Sequence, residues 1–206
     1  MQIAVKATQA AQTAFLSKGI PETVSVVFVE GGRMSPTADA YFDLSYEEEG
    51  AAFAAITNKP VFVNAVTETC ETLPANFIRI NAWNGFLERA LVEIAIAKEN
   101  PVADRAIAVL DTMQWRYQLT PDVPGMIAAR VIAMIINEAY FGLGDEISSK
   151  TDIDTAMKLG TNYPYGPFEW CEKIGIHKIF SLLCKLQTES SRYAPAPALL
   201  KEAQSK

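Results

Sequence analysis

The segment from Val123 to Glu169 decides the fold, because it contains the most distinctive short motifs of the chain. In order they are Val123-Pro124-Gly125-Met126-Ile127, Arg130, Asn137-Glu138-Ala139, Asp152-Ile153-Asp154, Gly160 and Tyr163-Pro164-Tyr165-Gly166-Pro167-Phe168-Glu169. From Pro124 onward the pattern is helical only, whereas the residues before it alternate short β-branched runs with helix formers. The sequence therefore predicts an α/β domain over residues 1–122 and a helical domain over residues 123–206.

The α/β half contains apolar runs that are typical of buried strands, separated by segments rich in helix formers. The predicted strands are 3–5, 24–29, 41–46, 61–63 and 77–80, the predicted helices are 7–18, 51–56 and 101–113, and residues 91–96 fit either type. Such alternation predicts a parallel sheet covered by helices. The acidic run from Glu47 to Glu49 is interpreted as a solvated turn or the start of a helix.

The ordered motifs resemble the C-terminal helical domain of the 3-hydroxyacyl-CoA dehydrogenases, the NAD enzymes of fatty-acid β-oxidation. The resemblance is most specific over residues 123–206, weaker over 77–122 and weakest over 1–66. It implies a fold that combines an α/β domain with an all-α domain. The first would be a shortened Rossmann-like layer, and the second would be a helical domain of that family's type.

The resemblance implies NAD as cofactor, but the phosphate-binding turn is missing. In the family the first strand leads into G-x-G-x-x-G, where glycine lets the backbone approach the pyrophosphate. Residues 4–18 contain no glycine, and Lys6, Thr8 and Gln9 stand where the tight turn belongs. Glu30 ends the second strand, where the family places a ribose-binding acid. Glu30 is therefore a candidate cofactor contact, with a surface strand end as the alternative.

The catalytic motif of the family is altered at its central residue. The family uses a His as general base and a Glu, twelve residues later, that orients it. In this chain Asn81 occupies the His position and Glu93 matches the Glu, with the spacing intact. An asparagine side chain can form hydrogen bonds but cannot accept a proton near neutral pH. Asn84 matches a later Asn of the motif and is a candidate substrate contact.

Two further polar positions of the family are also lost. Ala129 occupies the position of the substrate-facing Asn, and Val66 falls where a Ser is expected. Glu93 is thus either a structural acid or a working catalytic group. If it is buried without a His, we expect it to pair with Arg79, Arg89 or Arg130, or to have a raised pKa.

Charge and composition restrict the partners. The formal net charge of −6 disfavours nucleic acid and anionic membranes, which require a basic surface. The N-terminus lacks the pattern of a secretory signal, and the most apolar stretch, 126–136, is too short to span a bilayer. The three cysteines lack metal-ligand spacing and indicate reduced thiols in a cytoplasmic protein. His177 is interpreted as a packing or helix-start residue.

Two hypotheses remain open on the sequence. In the first, the chain descends from the dehydrogenases, has lost their activity, and serves as a dimeric scaffold or as a binding protein for an acyl-CoA or another metabolite. In the second, it is an NAD-dependent oxidoreductase of a 3-hydroxyacyl-CoA or similar hydroxy acid, with an altered site. In either case the apolar helix from Met126 predicts a homodimer joined through residues after 123.

Overall fold

The computed structural model describes residues 1–29 and 37–205 of the chain. These residues form two compact units, Met1–Met126 and Ile127–Lys206. Within the described ranges, no helix combines the length and the apolar character needed to cross a membrane. The three cysteines are free thiols, with Cys70 and Cys171 buried.

The first unit is built on a seven-stranded sheet with the strand order β2-β1-β3-β4-β5-β6-β7. Its strands are β1 (Gln2–Lys6), β2 (Ser25–Phe28), β3 (Ala40–Asp43), β4 (Val61–Val63), β5 (Phe77–Ile80), β6 (Leu91–Ile96) and β7 (Arg116–Leu119). Its helices are α1 (Gln9–Ser17), α2 (Tyr46–Glu49) and α3 (Ala103–Thr112).

All neighbouring strands are parallel except β5 and β6, which are antiparallel. No helix joins β5 to β6, and a parallel pair would need a crossover connection. Residues 91–96, for which the sequence allowed either a helix or a strand, form strand β6. The predicted helix over 51–56 is wrong, since this segment forms turns.

The sheet has a separate apolar core on each face, because side chains alternate along β1. Ile3 and Val5 join the cluster that contains Phe15 of α1, whereas Ala4 joins the cluster on the opposite face. Phe15 packs edge-on against Phe42, with ring centroids 5.2 Å apart. A sheet covered on both faces explains why its parallel strands are continuous apolar runs.

The second unit is entirely helical. It consists of α4 (Ala128–Gly144), α5 (Lys150–Thr161), α6 (Pro167–Ile174), α7 (Ile176–Gln187) and α8 (Pro197–Ser205). A mostly parallel sheet followed by a helical unit confirms the predicted fold class. His177 is an exposed residue in the first turn of α7, which agrees with its interpretation as a helix-start residue.

Motif residues of the second unit fix helix ends and connections. The buried Asp154 accepts a hydrogen bond from the Phe168 amide at 2.8 Å, and Glu169 accepts one from the Gly166 amide at 2.9 Å. Asn137 is also buried. Its amide donates to the Ala194 carbonyl at 2.9 Å and accepts from the Ala196 amide at 2.8 Å, which fixes the segment before α8.

Candidate functional site

The candidate site lies at the carboxyl-end edge of strands β1 to β5. The strand order places β2 on one side of β1 and β3 on the other, so the direction of the connections reverses at β1. In open α/β sheets, ligands bind outside the carboxyl ends of the strands at such a switch point. The candidate site is therefore formed by the segments that follow β1, β3, β4 and β5.

The residues at the predicted dyad positions are in direct contact. The Asn81 side-chain amide donates a hydrogen bond to Glu93 Oε2 at 3.0 Å, and the Asn81 backbone N–H donates to the Glu93 carbonyl at 3.0 Å. This contact follows from the antiparallel pairing of β5 with β6, which places residue 81 beside residue 93. Asn81 is 2% exposed, and its Oδ1 accepts no hydrogen bond within the described residues.

The orientation of the Asn81 amide follows from its neighbour. An ionised carboxylate only accepts hydrogen bonds, so the NH2 group must face Glu93 and the carbonyl oxygen must face away. The chemistry of the amide lets its carbonyl oxygen accept a hydrogen bond from a hydroxyl, as a neutral imidazole would, but this oxygen is buried in the structure. It cannot take the proton, and this is the chemical difference from a His–Glu dyad.

The other predicted positions offer little to a ligand. Val66 follows β4 and is fully buried, and Ala129 is fully buried within α4. Neither side chain offers a hydrogen bond. Asn84 is exposed on the turn after Trp83. Glu30 lies outside the described residues.

Two of the three arginines that were candidate partners of Glu93 form ion pairs with other acids. Arg79 Nη1 lies 2.6 Å from Asp122 Oδ1, and Arg130 Nη2 lies 3.1 Å from Glu189 Oε2. Glu93 is half-buried, so the condition for the expected pairing is not met, and a pairing of Glu93 with Arg79, Arg89 or Arg130 stays a prediction. Arg79 lies within β5 and points toward the loop after β4, where carbonyls surround it.

Arg79 organises this loop from inside the protein. Its side chain is fully buried, and Nε donates to the Ala65 carbonyl at 2.8 Å. Nη2 donates to the Val66 carbonyl at 3.0 Å and to the Val123 carbonyl at 3.2 Å. A buried charge is tolerated only when it is paired and hydrogen-bonded, and Arg79 meets both conditions.

Glu47 of α2 binds the same loop from its other side. Its Oε1 accepts hydrogen bonds from the Val66 amide at 2.7 Å, the Thr67 amide at 3.1 Å and the Thr67 hydroxyl at 3.2 Å. Its Oε2 accepts one from the indole N–H of Trp83 at 2.5 Å. Glu47 thereby joins the ends of β3, β4 and β5.

Two acidic side chains, Glu49 and Asp43, lie near Lys6 at the end of β1. Lys6, at the end of β1, forms an ion pair with Glu49 of α2 at 3.0 Å. Asp43, at the end of β3, is fully buried, and burial raises the pKa of its carboxyl group. The turn between β1 and α1 is closed by Thr8, whose hydroxyl accepts the Ala11 amide at 3.3 Å.

These contacts make the edge unfavourable for a dinucleotide. A pyrophosphate needs free backbone N–H groups and a positive potential at the start of α1. Here a threonine hydroxyl already caps that helix, Lys6 at the end of β1 is paired with Glu49, and Asp43 lies opposite Lys6 on β3. Sequence reasoning missed Glu47 and Asp43, because their role depends on donors and apolar groups from distant segments.

Comparison with known proteins gives a consistent family. The family described as 3-hydroxyacyl-CoA dehydrogenase, C-terminal domain, matches residues 125–205. The 3-hydroxyadipyl-CoA dehydrogenase of Escherichia coli K12 is 32% identical over 174 residues, which cover 82% of this chain and 36% of that protein. A 3-hydroxybutyryl-CoA dehydrogenase of Bradyrhizobium diazoefficiens is 30% identical over 132 residues, which cover 62% of this chain and 45% of that protein. The chain thus spans less than half the length of these relatives.

Solved structures share the fold. A 3-hydroxybutyryl-CoA dehydrogenase from Escherichia coli is 36% identical, with a TM-score of 0.61 over 70% of this chain and 31% of that one. FadB2 of M. tuberculosis has a TM-score of 0.75 at 13% identity and covers 98% of this chain and 93% of its own. At that low identity the likeness shows the fold alone.

Proposed function

The chain belongs to the 3-hydroxyacyl-CoA dehydrogenase family, and on that premise we propose that it is a binding or scaffold protein of fatty-acid metabolism without the family's oxidation activity. Its ligand is a hydroxyacyl thioester of coenzyme A or a similar metabolite. The observation that carries the proposal is the hydrogen bond of 3.0 Å from the Asn81 amide to Glu93. The dyad keeps its geometry and its acceptor but lacks a base.

Loss of a positioned general base lowers a rate by about 10²–10⁴-fold. The buried apolar side chains of Val66 and Ala129 remove two further hydrogen bonds to substrate that the family provides. Each missing contact lowers the stabilisation of the transition state. Together they favour binding without turnover.

The second candidate function is that of an NAD-dependent oxidoreductase with an altered site. The observation that favours it is the retained carboxylate of Glu93, which is half-buried beside Asn81. In this alternative Glu93 itself takes the substrate proton, and Glu30 contacts the cofactor ribose. The absent glycine turn and the acids around Lys6 oppose this alternative.

A pair of titrations distinguishes the two functions. Purified protein is titrated with acetoacetyl-CoA and, separately, with NADH, and binding is followed by tryptophan fluorescence and thermal shift. We expect a saturable change with the thioester and none with NADH. An NADH response that weakens in the Asn81→Ala variant would instead support the oxidoreductase, and no response to either would contradict both functions.

The proposal includes a homodimer formed through the second unit. Ile127, which precedes α4, and Val131 on α4 are 49% and 51% exposed. Val131 also lines an apolar groove of about 380 Å³ together with Met134 and Ile135. An apolar face of this kind on a folded unit is typical of a subunit interface, and a twofold assembly would bury it on both chains.

Replacing Val131 by Asp should convert the dimer to a monomer. The side chain is half-exposed on the single chain, so the charge is tolerated by the fold but would be buried in the interface. Light scattering should show a mass near twice 22.6 kDa for the unmodified chain and near 22.6 kDa for the variant. Ile132 is unsuitable for this test because it is 7% exposed and packs inside its own unit.

The matched control is Leu159→Asp, since Leu159 is 83% exposed on α5 and lies on another helix. This variant should keep the mass of the unmodified protein. A stable monomer of the unmodified chain at micromolar concentration would contradict the proposed dimer.

The free thiols fit a reducing compartment, and the proposed location is the cytoplasm.

A further inference from the structure

Four hydrogen-bond donors converge on one point beside the loop after β4. They are the backbone N–H groups of Val66 and Thr67, the Thr67 hydroxyl and the indole N–H of Trp83. Two successive backbone N–H groups that share one acceptor oxygen form the nest arrangement that binds anions. At this point lies the carboxylate of Glu47.

The donors are oriented from behind by Arg79. The peptide group between Ala65 and Val66 accepts from Arg79 Nε through its carbonyl and donates to Glu47 through its N–H. The next peptide group does the same, with Arg79 Nη2 on the Val66 carbonyl and the Thr67 N–H on Glu47. A buried cation thus polarises both peptide groups toward the anion, and hydrogen bonds linked in this way strengthen one another.

This orientation does not depend on Glu47. The Gly125 amide also donates to the Val66 carbonyl at 2.7 Å, and Asp122 fixes the Arg79 guanidinium. Trp83 is fully buried, so its indole N–H stays in place. The backbone N–H groups of Val66 and Thr67 and the indole N–H of Trp83 would therefore keep their positions around an empty space if the Glu47 carboxylate were removed.

We propose that the Val66–Thr67 loop and the Trp83 indole form a carboxylate-binding site, which Glu47 fills in this chain. The site fits a carboxylate because one oxygen meets the nest and the other meets the indole, as a flat group with two oxygens requires. It fits a phosphate poorly, because the Arg79 donors are directed at carbonyls and at Asp122 rather than at the anion.

Glu47, which fills the site, lies on the short helix α2. Helix α2 is a single turn, and it ends at Gly50, whose φ of 76° lies in the left-handed region that favours glycine. Displacing Glu47 requires movement of this turn and not of the sheet. A ligand carboxylate at this edge therefore competes with the side chain of Glu47, so the chain regulates access to its own site.

The test removes the Glu47 carboxylate by substitution and adds a small carboxylate in solution. The Glu47→Ala variant is titrated with sodium formate against sodium chloride at constant ionic strength, and the melting temperature is measured. Formate should raise the melting temperature of this variant in a saturable way, by about 2–4 °C, because it binds only the folded state. Acetate should act more weakly, since its methyl group needs more space.

The matched control is Glu48→Ala, which changes an exposed neighbour on the same turn. It should respond equally to formate and chloride, as should the unmodified chain. If the Glu47→Ala variant is unfolded in chloride, the same titration is made with the Glu47→Gln variant. Its amide presents an NH2 group to a donor, so formate should displace it and raise the melting temperature. Absence of any formate-specific effect in the variant that folds would overturn the proposal.

Discussion

Replacing Arg79 by leucine should lower the free energy of unfolding by about 3–5 kcal/mol, because it removes a fully buried cation and leaves several hydrogen-bond acceptors without their donor. The guanidinium is fully buried and forms hydrogen bonds to three carbonyls as well as to Asp122. Leucine fills part of the volume but leaves the Ala65 carbonyl without this donor. Urea unfolding followed by tryptophan fluorescence measures the loss.

The control for this substitution is Arg105→Leu, because Arg105 is exposed on α3. A surface change of this kind usually alters stability by about 0.5 kcal/mol or less. A similar small effect for Arg79→Leu would show that the loop after β4 is held by other contacts. The preorganised donors around Glu47 would then lose their physical explanation.

The second prediction concerns catalysis. Asn81→His should leave the oxidation of 3-hydroxybutyryl-CoA undetectable, although it restores a base that in the family contributes about 10²–10⁴ in rate. Val66 and Ala129 still offer no hydrogen bonds, and the turn after β1 still lacks glycine. The measurement is NADH formation, with Asn81→Ala as the control. Turnover by the His variant alone would show that the rest of the site is intact.

Local patterns predicted much of the fold. The apolar runs at 3–5, 61–63 and 77–80 are strands of the sheet, and Pro124 marks the change to helices. The orientation of residues 91–96 could not be predicted, because the run is apolar in either type of element. Its direction depends on the short connection from β5, which brings the chain back without a helix.

The sequence indicated the positions of two residues of the site, Asn81 and Glu93, but not the role of Glu47. The spacing from Asn81 to Glu93 is a family feature, and pairing of β5 with β6 turns it into a hydrogen bond. Glu47 belongs to the acidic run 47–49, which the sequence predicts to be exposed to solvent. Glu48 and Glu49 are indeed exposed, whereas Glu47 is half-buried by contacts with Val66, Thr67 and Trp83. Contacts between distant segments of this kind have no local signal.

We propose that this chain binds an acyl-CoA-like ligand without oxidising it. The most direct test incubates the purified protein with NAD and 3-hydroxybutyryl-CoA and follows NADH absorbance at saturating concentrations of both. We expect no NADH above the level without enzyme. Steady NADH production that is abolished by Glu93→Ala would contradict it, because Glu93 would then be acting as the proton acceptor that Asn81 cannot be.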